Sequence, residues 1–121
     1  MINNNVVVGS GVMGRGIAYV AAVGGFHTTL VDIKEEQLRN AKHEIEAIFT
    51  KSVERGNISQ EIRKDSSNRL NYSIEMELVI KEADLIIEAV PEKIEIKKNV
   101  FETLDKKAPP SCIFATNTST M

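Results

Sequence analysis

A glycine cluster near the amino end constrains this chain more than any other feature. Gly9-Ser10-Gly11-Val12-Met13-Gly14 follows the apolar run Val6-Val7-Val8 and opens directly into Gly16-Ile17-Ala18-Tyr19-Val20-Ala21-Ala22. The order is strand, tight turn, helix. Gly9 permits the turn, Gly11 lets a pyrophosphate approach the backbone, and Gly14 lets helix and strand pack closely. Free N–H groups at the helix start, together with the helix dipole, attract phosphates. A glycine turn alone also occurs in unrelated α/β proteins. Here a second apolar run, Thr28-Thr29-Leu30-Val31, ends at Asp32, eighteen residues after Gly14. A carboxylate at about that separation meets the ribose of an adenosine.

The rest of the chain alternates in the same way. Strands are expected near 5–8, 28–31, 70–73, 84–90 and 111–116. Helices are expected over 11–23, 34–55, 59 to about 68, 75–83 and 93–107. Ser59 is the expected N-cap of the third of these, and the last would turn Ile96, Val100, Phe101 and Leu104 toward a sheet. Such alternation predicts an α/β fold, a doubly wound parallel sheet with helices on both faces. The long helix carries the stripe Leu38, Ala41, Ile45, Ile48, Ser52, with Phe49 beside it. The excursion from Asp32 to Leu70 exceeds what one crossover helix needs, so its two helices are expected to project beyond the sheet.

Composition excludes several function classes. A chain of 121 residues makes one domain. The net charge of −2 offers no basic field for nucleic acid or acidic lipid. No apolar stretch approaches the length of a membrane span, and the first residues lack the pattern of a secretory leader. Cys112 is the lone cysteine, so no internal disulfide forms, and its neighbours Ile113 and Phe114 suggest a buried strand thiol. A cytoplasmic location fits these features.

Ligands of open parallel sheets sit beyond the carboxyl ends of the strands. Four pieces should meet there: the glycine turn, Asp32, the loop Ala89-Val90-Pro91-Glu92, and Asn117-Thr118-Ser119. Asp32 would accept ribose hydroxyls and repel a 2′-phosphate, and no arginine follows it immediately, so NAD is expected over NADP. As an exposed strand-end acid, Asp32 should be replaceable by Ala with little loss of stability. Glu92 and Lys97 fit either a nicotinamide-ribose contact or a solvated helix start. Asn117-Thr118-Ser119-Thr120 fits either ligand contact or turn chemistry. Glu88 reads as a structural acid at a strand end. His27, preceding the second strand, and His43, on the polar side of the long helix, read as surface residues. No cluster has metal-ligand spacing, and no nucleophile–base–acid set of a hydrolase is present. Lys51 and Arg55, i and i+4 on the long helix, fit a phosphate-rich ligand or a solvated face.

These residues resemble the NAD-binding, Rossmann-type domain of the 3-hydroxyacyl-CoA dehydrogenases, including the bacterial 3-hydroxybutyryl-CoA enzymes. The resemblance runs through Val8-Gly-Ser-Gly-Val-Met-Gly14-Arg-Gly-Ile-Ala18, Leu30-Val-Asp32 and the helical excursion. It continues through Ala83-Asp-Leu-Ile-Ile-Glu-Ala-Val-Pro-Glu92, Lys97 and Ala115-Thr-Asn-Thr-Ser119. It implies that Gly9, Gly11, Val12, Met13 and Gly14 hold the pyrophosphate side of NAD. Asp32 would bind the adenosine ribose, with Gln37 nearby. Ala89, Val90, Glu92, Lys97 and Asn117 would line the nicotinamide half. Ser119 would bond the reacting oxygen of the substrate, and Arg55 would be the basic contact for coenzyme A.

The family's general base is a histidine paired with a glutamate, and both follow the Asn-Thr-Ser segment. A C-terminal helical domain carrying substrate contacts and the homodimer interface follows in turn. The sequence stops at Met121. The expectation is therefore a cofactor domain over 1–121, cut before the catalytic histidine and the helical domain, that binds NAD without turning over acyl-CoA alone. Two alternatives stand beside it: a free-standing NAD-binding module, and the cofactor domain of a hydroxyisobutyrate-type dehydrogenase.

Overall fold

The computed structural model describes residues 4–89 and 113–116. Strands β1 (Asn4–Val8), β2 (His27–Val31), β3 (Leu70–Ser73), β4 (Leu85–Glu88) and β5 (Ile113–Thr116) form one sheet in the order β3-β2-β1-β4-β5. Every pairing is parallel. Four helices stand among the described residues: α1 (Val12–Val23), α2 (Glu35–Glu54), α3 (Gln60–Arg69) and α4 (Met76–Ile80). The chain steps outward from β1 to β3, then returns across the sheet to β4. The direction of winding therefore reverses between β1 and β4, the place where doubly wound sheets hold their ligands. Register brings the carboxyl ends of the strands level: Val8 pairs with Val31 and with Glu88, Val31 with Ser73, and Glu88 with Thr116.

Side chains alternate across the sheet with the period of two that extended backbone imposes. Val7, Leu30 and Ile87 face one layer, and Val6, Val8, Val31 and Ile86 face the other. The first layer is closed by Ala18 and Ala22 of α1 and by Leu38, Ala41, Ile45 and Phe49 of α2. The second is closed by Ile80 of α4 and by Ala83.

The long expected helix is α2, flanked by Lys34 and Arg55. Its buried stripe is Leu38, Ala41, Ile45 and Phe49, and the expected members Ile48 and Ser52 are only half-buried. The register shifts because the Phe49 ring lies against Tyr19 of α1, centroids 5.0 Å apart and tilted by 55°. The Tyr19 hydroxyl then meets Ser52 Oγ at 2.8 Å at the edge of that contact. Both long helices close with a Schellman pair: Phe26 N–H to Ala21 C=O and Gly25 N–H to Ala22 C=O, then Asn57 N–H to Ser52 C=O and Gly56 N–H to Val53 C=O.

The excursion between β2 and β3 is present, and one side of it is packed against α1 along its return. Ser59 Oγ accepts from Ile62 N–H at 3.1 Å, the expected cap. The helix that follows does not fade at 66–68 but runs to Arg69. Ser66 is fully buried, and Arg69 Nε donates to the Ala22 carbonyl at 3.0 Å, which holds the final turn. The fourth helix is shorter than the expected 75–83, because the chain must turn for Asp84 N–H to reach the Asn4 carbonyl at 2.9 Å and start β4. His27 is the first residue of β2 rather than a residue before it. The expected helix over 93–107 and Cys112 lie outside the described residues.

Candidate functional site

The turn after β1 is shaped by two glycines. Gly9 has φ 107°, a left-handed conformation that side chains disfavour, and its N–H donates to the Val31 carbonyl at 2.8 Å. The turn is thereby tied to the end of β2. A Cβ on Gly14 would lie 1.7 Å from the Gly9 carbonyl oxygen and 3.6 Å from the Ala89 Cβ. Only a hydrogen fits, and its absence of bulk brings α1 against both β1 and the exit of β4.

Beyond this contact the turn is open. Gly11 is the N-cap of α1, and a Cβ there would meet nothing within 4 Å. Among the described residues no side chain caps the amino end of α1, and no acid lies in its first turn. The helix presents its N–H groups and its positive dipole end to the space above the level strand ends, an arrangement that accepts an anion. Val12 and Met13 are exposed there and border an apolar groove of about 760 Å³ that runs along α1 past Ile17, Val20 and Leu85. The described residues thus suit a dinucleotide pyrophosphate: backbone donors, no competing side chain among them, and room at Gly11.

Asp32 closes the site on the β2 side, and it is more engaged than an exposed strand-end acid. Its Oδ2 accepts from Ser10 Oγ at 2.6 Å and from Ser10 N–H at 3.0 Å, and its Oδ1 accepts from Lys34 N–H at 3.1 Å. Asp32 is half-buried and Ser10 is 1% exposed. The expectation of a cheap Asp32→Ala replacement is therefore corrected. Removing the carboxylate strands the buried Ser10 donors, a loss of about 1–3 kcal/mol. Serine at the second position of a glycine turn carries no distinctive signal in the sequence, so this partner was missed.

Gly9, Gly11, Val12, Met13, Gly14 and Asp32 come together at the carboxyl ends of β1 and β2. Ala89 joins them from β4, its N–H bonded to the Val8 carbonyl at 2.8 Å. Gln37 is exposed in the first turn of α2, a few residues after Asp32. Arg55 is not brought to this cluster: it caps the opposite end of α2, a helix of 20 residues, or about 30 Å. His27 opens β2 opposite Asn4, at the far end of the sheet, and His43 is exposed on α2. Glu88 is buried at the end of β4. Val90, Glu92, Lys97, Asn117 and Ser119 lie outside the described residues. Among the described residues no cluster could hold a metal ion, and no helix is long and apolar enough to cross a membrane. Away from the site, burial first and the Glu46 carboxylate second push the Tyr72 hydroxyl up to about 12.

The fold and the turn define a dinucleotide-binding domain of the Rossmann class. The chain belongs to the 3-hydroxyacyl-CoA dehydrogenase family: residues 4–121 match the model of that family's NAD binding domain. It is 39% identical over 115 residues to the 3-hydroxyadipyl-CoA dehydrogenase of Escherichia coli, covering 95% of this chain and 24% of that protein. It is 33% identical over 120 residues to a probable 3-hydroxybutyryl-CoA dehydrogenase of Bacillus subtilis, covering 99% of this chain and 42% of the relative. The crystal structure of an E. coli 3-hydroxybutyryl-CoA dehydrogenase superposes with a TM-score of 0.93 at 37% identity, over 100% of this chain and 25% of that one. The chain thus spans less than half the length of these relatives.

Proposed function

We propose that the protein acts as an NAD-dependent 3-hydroxyacyl-CoA dehydrogenase, interconverting 3-hydroxyacyl-CoA and 3-ketoacyl-CoA, and that residues 1–121 form the cofactor half of its site. The observation that carries this reading is the turn itself: Gly14 seated against Gly9, an uncapped α1 above it, and the Asp32 carboxylate held beside it. Bound NAD would supply the acceptor for a hydride from the carbon that bears the substrate hydroxyl. The amides at Gly11, Val12 and Met13 would bind its pyrophosphate, and Asp32 would accept its adenosine ribose hydroxyl, with Gln37 alongside. Ala89, Val90, Glu92, Lys97 and Asn117 would line the nicotinamide side. Ser119 would donate to the substrate oxygen and orient it. A long ligand such as coenzyme A would be needed to reach Arg55 at the far end of α2. A homodimer, a cytoplasmic setting and a general-base histidine supplied outside these 121 residues belong to the same proposal.

Titration calorimetry with NAD and NADP tests the cofactor reading. The purified protein should bind NAD more tightly than NADP, and Asp32→Ala should weaken NAD about tenfold or more, the loss expected for a hydrogen bond to a charged group. Equal affinity for the two dinucleotides would overturn the ribose assignment.

A further inference from the structure

We infer that Ser10 is a positioning residue that sets cofactor choice by pinning Asp32. The inference rests on the ribose assignment proposed above and adds the device that makes it selective. Ser10 Oγ donates to Asp32 Oδ2 at 2.6 Å, the short distance of a hydroxyl bonded to an ionised carboxylate. With Ser10 1% exposed, water scarcely competes for that bond. The Ser10 N–H shares the same oxygen at 3.0 Å, and Lys34 N–H holds the other at 3.1 Å. A carboxylate offers about four acceptor positions. Three are filled from the turn after β1 and the turn after β2, so one remains for a ribose hydroxyl.

The consequence is selective because a carboxylate can escape repulsion only by turning. Two of the three donors are backbone N–H groups that any residue but proline would supply. The hydroxyl is the contribution of serine alone. With it in place, Oδ2 is gripped by two donors and the negative charge stays where a 2′-phosphate would have to sit. Without it, Oδ2 keeps one longer bond, and the side chain gains rotamers that carry the charge away. Rejection of the wrong ligand then weakens, while binding of the right one is reduced by the smaller fraction of competent Asp32 conformers.

A double-mutant cycle decides the matter, with NAD and NADP titrated separately into the purified parent, Ser10→Ala, Asp32→Ala and the combined variant. Ser10→Ala should weaken NAD about three- to tenfold and leave NADP unchanged or tighter, narrowing the preference by that factor. In the Asp32→Ala background, Ser10→Ala should change nothing further. Ser10→Gly, which also lacks the hydroxyl, should give the same narrowing and serves if the alanine variant does not fold. A Ser10→Ala effect equal for both dinucleotides, or one that persists without Asp32, would overturn the inference while sparing the ribose assignment. Unchanged NAD affinity in Asp32→Ala would overturn both.

Discussion

The turn after β1 and the α2–α3 excursion are built on different kinds of constraint. In the turn, a handful of atoms admit one solution: a left-handed φ at Gly9, a 1.7 Å exclusion at Gly14, and three donors converging on Asp32. In the excursion, many weak contacts share the work, and Phe49 and Ile45 could trade area with their neighbours. A steric exclusion has no partial form, whereas packing can slide by a residue. Fixed geometry is accordingly concentrated at the turn.

Four substitutions probe this contrast. Gly14→Ala should have the largest effect, because a methyl group at 1.7 Å from a backbone oxygen forces α1 away from β1. A loss beyond about 3 kcal/mol, with loss of NAD binding, is expected in thermal or urea unfolding. A melting point within a few degrees of the parent would break the contrast at its strongest point. Phe49→Ala should cost about 3–5 kcal/mol yet leave NAD affinity intact in the folded fraction. Ile48→Ala, half-buried beside it, should cost under about 2 kcal/mol. Equal costs at 48 and 49 would restore the stripe expected from periodicity. The smallest effect is Ser59→Ala, which removes the bond to Ile62 N–H and should cost about 1 kcal/mol with no change in cofactor binding. The half-buried Arg63–Glu46 pair at 3.3 Å joins α3 to α2 and should add a comparable amount, about 1 kcal/mol or less.

The same contrast explains what could be read in the chain before its structure was known. Gly9, Gly11, Gly14 and Asp32 are legible because their spacing reflects hard geometry, and the strand–helix order is legible because each element carries its own period. The core register of α2 is not, since Ile48 and Phe49 are both apolar and tertiary packing, the Tyr19 ring included, chooses between them. The length of α3 is hidden for the reverse reason. Ser66-Ser67-Asn68 looks like a helix fading into solvent, but Ser66 is buried and Arg69 is bonded to a carbonyl of another helix. Ser10 escaped because a small polar residue in a turn is ordinary, and its significance comes from Asp32, twenty-two positions away.

The bond from Arg69 to Ala22 has one more consequence. It fastens the carboxyl end of α1, while the Gly9–Gly14 contact fastens the amino end. A helix anchored at both tips behaves as a strut, so its first-turn amides are already aimed before any dinucleotide arrives, and little freedom is forfeited on association. The interior amides of α1 should accordingly be among the slowest to exchange with deuterium, and cutting the guanidinium tether should quicken them.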